Sequence, residues 1–380
     1  MRVLLTSPPG WGHVHRMLPL ALALIEQGDT VLWATAADSA SRVRAMGIAT
    51  ADAGLAEREG MAQILADPEI AALAPEARPP VMGPKLFGAV RAPHMLTDLM
   101  PIAADFKPDL IVADTFELAA PVVAAILGVR NLSHSFGPLI PPSRMELAAS
   151  YVAPLWRDRG LDPRPYGGLY DHLYLDVYPP SMAGENRDHL PAVQLVRPVE
   201  IETGADEELP EWVTSEGDPL VYVTLGTVFS DTATLAAIVR GVRDLDVRVL
   251  VTVGPHWNPD DLGDQPANVH VARYVPQRQI LPHCSIVVSH GGSGTFLGSV
   301  AAGLPQVLVP QGADQFLNAE AAVKSGVGSV VRPPELSPEV IRDAVAHALA
   351  SAEIRSGARR VAQEIADMPT PADVAAGLRE

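Results

Sequence analysis

Seven consecutive residues, Ser289-His290-Gly291-Gly292-Ser293-Gly294-Thr295, carry the strongest chemical signal in the chain. They join an apolar run at 286–289 to a helix predicted over about 294–302. Three glycines let the backbone turn sharply and approach a ligand closely. The unpaired N–H groups of a helix start carry about half a positive charge, which suits a phosphate. His290 can donate one further hydrogen bond. The same residues also read as an ordinary strand-to-helix turn with an incidental histidine. No Lys follows the glycines, so this is not a P-loop.

Two other loops carry unusual residues. Pro310-Gln311-Gly312-Ala313-Asp314-Gln315 sets a carboxylate beside an amide, an arrangement that grips sugar hydroxyls with both acceptors and donors. Asp314 fits a helix N-cap equally well. Pro9-Gly10-Trp11-Gly12-His13-Val14-His15 resembles a dinucleotide fingerprint but has His15 where the third glycine belongs. His13, after the first strand, is placed to act as a base. Asp114, ending another strand of the same sheet, is placed to orient its imidazole and balance an imidazolium. The alternative is that both residues only cap helices. His283, Cys284 and His290 are poorly spaced for joint metal coordination, and no Asp-x-Asp element stands in these loops, so no metal is expected.

These loops need strands and helices to hold them. Residues 2–7 form an apolar strand, 15–27 a helix, 30–36 a strand and 39–46 a helix, which is a βαβ unit and implies a parallel sheet. The strand at 110–114, the apolar stretch 117–127 and the strand at 130–135 repeat the pattern. Residues 53–100 show no clear periodicity. An acidic stretch around 197–218 reads as a linker. Beyond it come strands at 220–225, 247–253, 269–274, 286–289 and 306–310 and helices at 232–242 and 315–324, with an almost wholly helical end from 337. The expectation is two doubly wound α/β domains, whose ligands bind beyond the carboxyl ends of the strands.

With 380 residues, 48% of them hydrophobic, the chain suits two domains of ordinary size. A formal charge of −17 without any basic run argues against nucleic acid. The single cysteine, Cys284, rules out an intramolecular disulfide framework. The longest apolar stretch, 17–25, is too short to span a bilayer, and the N-terminus lacks the apolar length of a signal peptide. A soluble, cytoplasmic protein with no membrane insertion is expected.

With these residues in hand, the chain resembles the GT-B glycosyltransferases that use a nucleotide sugar, and most the bacterial antibiotic and macrolide branch related to plant glucosyltransferases. The stretch YVPQ…HCSIVVSHGGSGTFLGSVAAGLPQVLVPQGADQFLNA follows that family's donor signature. The resemblance implies two Rossmann-like domains facing across a cleft: 1–205 for the acceptor and 206–363 for the donor, with a helix at about 364–380 packing back on the first. It implies that the Val275 backbone and Gln277 hold the nucleoside base. His290, Gly292, Ser293, Gly294 and Thr295 would take the diphosphate, helped by Gly226 and Thr227, and Asp314 and Gln315 the sugar. His13 matches the family's base and Asp114 its partner.

Some positions depart from the pattern. Tyr274 stands where the plant signature has Trp, and Pro follows the histidine only at position 19, which makes His15 a rival base. The implied reaction is inverting transfer from a TDP- or UDP-sugar to a hydroxyl of a small hydrophobic aglycone, a polyketide or similar, with neither metal nor cofactor. Trp11, Phe136 and Tyr170 are acceptor-site candidates. Among the aromatics at 136–178, which also include Trp156, Tyr166, Tyr174 and Tyr178, core packing is the commoner fate. Two rival expectations are a sugar-nucleotide epimerase on the same fold and a non-catalytic helper of a partner transferase. Monomer and homodimer are both open.

Overall fold

Strands alternate with helices along most of the chain, and a strand that reaches its neighbour through a helix runs parallel to it. The computed structural model describes residues 1–379 apart from 75–76, 185–186, 202–208, 210, 216, 227–231 and 255–256. It shows two parallel sheets. The first contains β1 (Arg2–Thr6), β2 (Thr30–Thr35), β3 (Ala49–Asp52), β4 (Leu110–Asp114), β5 (Arg130–His134), β6 (Tyr174–Asp176) and β7 (Val193–Leu195), in the order β3-β2-β1-β4-β5-β6-β7. The second contains β8 (Leu220–Thr224), β9 (Arg248–Thr252), β10 (Val269–Ala272), β11 (Ile286–Ser289), β12 (Gln306–Leu308) and β13 (Gly328–Val330), in the order β10-β9-β8-β11-β12-β13. Sheets of this kind are covered on both faces, which is why β4, β8 and β11 are buried along their whole length.

The order of each sheet locates its ligand site. From β1 the chain winds one way to β2 and β3, then returns to place β4 on the other side of β1. From β8 it winds to β9 and β10, then returns to place β11 on the other side of β8. A crevice opens at such a switch point because the two flanking crossovers leave in opposite directions. The two switch points lie at the carboxyl ends of β1 and β4, and of β8 and β11.

The chain divides into two compact units, residues 1–178, 184–197 and 369–380 in one and 179–183 and 198–368 in the other. The breaks at 197/198 and 368/369 differ from the composition-based limits at 205/206 and 363/364. Residues 202–208, 210 and 216 of the acidic linker lie outside the described residues. In the first unit the Thr370-capped helix Pro371–Gly377 packs on the helix Trp11–Glu26. There Gln27 Nε2 donates to the Ala372 carbonyl at 2.7 Å, and Arg379 pairs with Asp29 at 3.0 Å. No helix among the described residues is long and apolar enough to cross a membrane.

Three features differ from the sequence reading. The first helix begins at Trp11 and not at 15, so His13 and His15 lie in its first turns. Its opening, Trp11-Gly12-His13-Val14-His15, is broken by Gly and His and shows no clear apolar period. The strands β3 and β13 are short, and neither has a fully buried residue, so they leave little pattern to detect. Residues 53–100, unassigned by periodicity, form the helices Glu57–Leu65, Pro68–Ala72 and Pro79–Lys85, a π-helical turn Leu86–Arg91 and the start of Ala92–Phe106. The pieces are short, and a π turn breaks the 3.6-residue period. Gly88 lets this turn sit tightly on the helix Pro142–Arg157, since a Cβ there would stand 2.7 Å from the Ala148 carbonyl oxygen.

One close packing in the second unit gives a stability prediction. A Cβ on Gly357, in the helix Ala352–Asp367, would stand 2.2 Å from the carbonyl oxygen of Gly326, which ends the helix Gln315–Ser325. Backbone cannot rotate away as a side chain can, so overpacking outweighs the roughly 1 kcal/mol helix-propensity gain of alanine. Gly357→Ala is expected to lower the melting temperature of this unit by about 2–8 °C in scanning calorimetry. An unchanged or raised transition would show that the two helices separate at little cost.

Candidate active site

At the first switch point the end of β1 leads through Gly10 into the Trp11–Glu26 helix, and β4 ends on Asp114. This brings His13 and Asp114 together from 101 residues apart, with Nδ1 of His13 at 3.1 and 3.0 Å from the two carboxylate oxygens. Asp114 is fully buried and also accepts the Phe116 N–H at 2.8 Å. The His13 side chain keeps 17% of its surface exposed. Burial of the ring disfavours the imidazolium, but the charge and hydrogen bond of Asp114 outweigh it, and Glu57 adds to them against Arg91. The pKa of His13 is therefore raised above its usual 6.5.

Aromatic rings enclose this imidazole. Phe136 lies 4.8 Å from it, and Phe87 and Phe116 meet it edge-on at 5.7 and 5.9 Å. Below them Glu117 is buried, which pushes its carboxyl up to about 8 despite the Ala119 N–H that it accepts, so that it is neutral at pH 7. The rival base, His15, lies against the Trp11 ring at 5.6 Å, and Arg42 also sits over Trp11, at 5.2 Å. The histidine that meets Asp114 is His13. Tyr170 is not brought to this group. Its ring contacts are Tyr166, Tyr174 and His189, in a buried cluster of their own.

At the second switch point β8 ends beside Gly226 and β11 beside His290. The His290 ring lies tight against two glycines. A Cβ on Gly226 would stand 2.7 Å from its Cε1, and one on Gly292 2.5 Å from its Nε2. Gly226 also has φ +72°, a conformation that favours glycine. Burial pushes the pKa of His290 down to about 4, against Asp314 and the Thr224 backbone, so the ring is neutral at pH 7. It brings hydrogen-bonding nitrogen atoms to the loop and no full charge. Thr227 lies outside the described residues.

Gly292 is the N-cap of the helix Ser293–Ala301 and supplies no side chain to its first turn. One Asp314 oxygen fills part of that role, accepting the Ser293 N–H at 3.1 Å and its hydroxyl at 2.5 Å. Ala313, beside it, has φ +52°, a strained value for a residue with a side chain. Gln315 is folded back on its own loop, its Oε1 accepting the N–H groups of Gln311 and Gly312 at 2.7 and 3.0 Å. Gln277 donates to the Thr295 hydroxyl at 2.8 Å, which joins two of the sequence candidates. Val275 is half-buried next to Tyr274, whose side chain is 59% exposed.

The sequence reading missed Asn318, a fully buried amide that ties these loops together. Its Nδ2 donates to the Gly291 carbonyl at 2.8 Å, and to the Ser293 hydroxyl and Asp314 at 3.1 Å each. Its spacing of four from Asp314, one helical turn, is the signal that points to it. Phe87, Phe116, Glu57, Arg91 and Glu117 were missed as well. Only Phe116 and Glu117, adjacent to Asp114 in sequence, left a trace that pattern alone could follow. Among the described residues no cluster of three or more His, Cys, Asp or Glu is arranged to hold a metal ion.

Comparison with known proteins gives the same result along the whole chain. Residues 81–226 match the family model for the N-terminal domain of erythromycin biosynthesis protein CIII-like proteins, and residues 236–380 the model for their C-terminal domain. The elloramycin glycosyltransferase ElmGT of Streptomyces olivaceus is 31% identical, over 100% of this chain and 97% of its own. The glycosyltransferase SnogD from Streptomyces nogalater superposes with a TM-score of 0.82 at 27% identity, covering 100% of this chain and 99% of that one. SsfS6, a glycosyltransferase of Streptomyces sp. SF2575 solved with thymidine diphosphate, gives 0.79 at 28% identity over 100% and 99%. The parallel sheets, the two switch-point loops and these likenesses together show that the chain belongs to the erythromycin biosynthesis protein CIII-like family, the bacterial natural-product glycosyltransferases of GT-B fold.

Proposed function

We propose that this enzyme moves a sugar from a TDP- or UDP-linked donor to a hydroxyl of a hydrophobic natural-product aglycone, with inversion and without a metal ion. The observation that carries the reading is the His13–Asp114 pair at the first switch point. Both Asp114 oxygens lie at Nδ1, which favours the tautomer with the proton there and leaves the Nε2 lone pair for an acceptor hydroxyl. His13 takes the hydroxyl proton as the oxygen attacks the anomeric carbon and the bond to the diphosphate breaks. Asp114 stabilises the imidazolium that forms. One displacement inverts the centre, and Asp114 is held by His13 and the Phe116 N–H, away from a nucleophile's role.

In the second unit, His290 and the loop at Gly292, Gly294 and Thr295 receive the diphosphate, and the positive end of the helix stabilises the charge that gathers on it. Ser293 is held by Asp314, so its part is to fix the loop. The thymidine diphosphate in the related SsfS6 structure favours TDP over UDP as the carrier. Calorimetric titration with TDP and UDP tests this donor site. Binding without magnesium, lost in His290→Ala, is the expected result. Failure of both nucleotides to bind would overturn the donor assignment, and binding only with magnesium would overturn the metal-free step.

The raised pKa of His13 sets the pH dependence. The base works only when neutral, so kcat/KM should fall on the acid side with an apparent pKa above 6.5. Asp114→Asn removes the charge that raises it and leaves burial, which lowers it. The acid limb of the Asn variant should therefore move to lower pH, and kcat should fall by about 10²- to 10⁴-fold because the tautomer is no longer held. A limb that stays in place would mean that another group titrates.

A further inference from the structure

The first turn of the helix Gln315–Ser325 packs against the loop that follows β11, and it carries one fully buried amide. A Cβ on Gly291 would stand 3.5 Å from the Gln315 carbonyl oxygen, so loop and helix start are in contact. Gly291 itself has φ +82°, a left-handed conformation that favours glycine. Asn318, 0% exposed, reaches back to this loop from the same helix. Its Nδ2 has two hydrogens to give and three acceptors to meet. The Gly291 carbonyl lies at 2.8 Å, and the Ser293 hydroxyl and Asp314 Oδ2 at 3.1 Å each. The same Asp314 oxygen also accepts the Ser293 N–H and hydroxyl, so three donors converge on it.

We propose that Asn318 is a positioning residue for sugar transfer, holding the Gly291–Ser293 loop and the Asp314 carboxylate in the arrangement that receives the donor's diphosphate. This rests on the donor site proposed above. Being fully buried, Asn318 acts through its three acceptors and not on the ligand. One hydrogen goes to Gly291 and the other is shared between Ser293 and Asp314, so the amide fixes the chain on both sides of Gly292, the N-cap of the helix Ser293–Ala301. That helix start is the positive end on which a diphosphate gathers. A carboxylate at the same place repels a diphosphate, and the donors turned onto its Oδ2 offset that charge. Replacing the amide by an apolar group withdraws a donor from three acceptors at once, and the loop must rearrange to satisfy them.

The test is binding to the full chain of TDP, by calorimetric titration, and of thymidine, by ligand-observed NMR. Thymidine lacks the diphosphate, so only TDP should report on the loop. In Asn318→Ala, TDP should bind about 10- to 100-fold more weakly, and thymidine within about threefold of the unaltered protein. Asn318→Asp keeps the volume but sets a second carboxylate against Asp314, and should lose TDP affinity at least as far. Adding Asp314→Asn to it remakes an amide–carboxylate pair with the partners exchanged. The double variant should therefore bind TDP at least about threefold more tightly than Asn318→Asp alone. Unchanged TDP affinity in Asn318→Ala would overturn the proposal. So would an equal loss of TDP and thymidine, the mark of general damage to the unit, or a double variant that binds TDP no more tightly than Asn318→Asp. If Asn318→Ala does not fold, the Asn318→Asp and double variants, which keep the side-chain volume, decide the matter. Unaltered protein that binds TDP no more tightly than thymidine would instead overturn the donor assignment on which the proposal rests.

Discussion

His13→Ala is expected to lower kcat by about 10²- to 10⁴-fold. In the proposed role as base the imidazole has both Asp114 oxygens within 3.1 Å of Nδ1, which favours the tautomer with the proton there. No nearby group replaces it. Glu117 is neutral at pH 7 and buried, and His15 lies against Trp11. The donor loop belongs to the other unit, so TDP affinity should stay within about twofold of the unaltered enzyme. Single-turnover kinetics with saturating donor would separate the chemical step from binding. Retained turnover in His13→Ala, or its transfer to a variant carrying only His15, would overturn the assignment.

Gly292→Ala is expected to weaken TDP and UDP binding by about 10- to 100-fold, the equivalent of a 1–3 kcal/mol overpacking cost. The backbone at Gly292, with φ −63°, accepts alanine without strain. The added Cβ, however, would stand 2.5 Å from His290 Nε2. A Cβ on Gly226 would likewise stand 2.7 Å from its Cε1, so two stretches of backbone are tight against the ring. The ring has to shift, and the expected loss is the contact with the diphosphate that the proposed function gives it. His290→Ala should show the same loss, and the double variant should add little to either, as expected when two changes remove one interaction. Calorimetric titration measures all three. Unchanged affinity in Gly292→Ala would remove His290 from the donor site.

Much of this was legible without coordinates. Apolar runs broken by helical periods determine a doubly wound α/β chain, because parallel strands buried on both faces leave an unbroken hydrophobic signature. Glycines at a strand-to-helix junction point to a loop that approaches its ligand closely, since few other residues permit that turn. His13, Asp114, His290 and Asp314 were all visible as chemistry-bearing types after strands. Their roles were less so. Asp314 reads from sequence as a sugar ligand or an N-cap, and the structure shows one of its oxygens capping the next helix over, at Ser293.

What the tertiary structure decided is which distant residues meet. Asp114 meets His13 because the sheet order sets β4 beside β1, a pairing that neither local spacing nor periodicity encodes. Phe87 and Arg91 reach the same place from a region with no readable period, because the π turn that carries them and the helix Pro79–Lys85 before it are held there by packing on the helix Pro142–Arg157 rather than by their own propensity. Asn318 joins two loops that the chain visits at different times. The sequence by itself determined the elements and the chemical types, since both depend on neighbours along the chain. The partners were set by strand order and burial, which depend on the whole sheet.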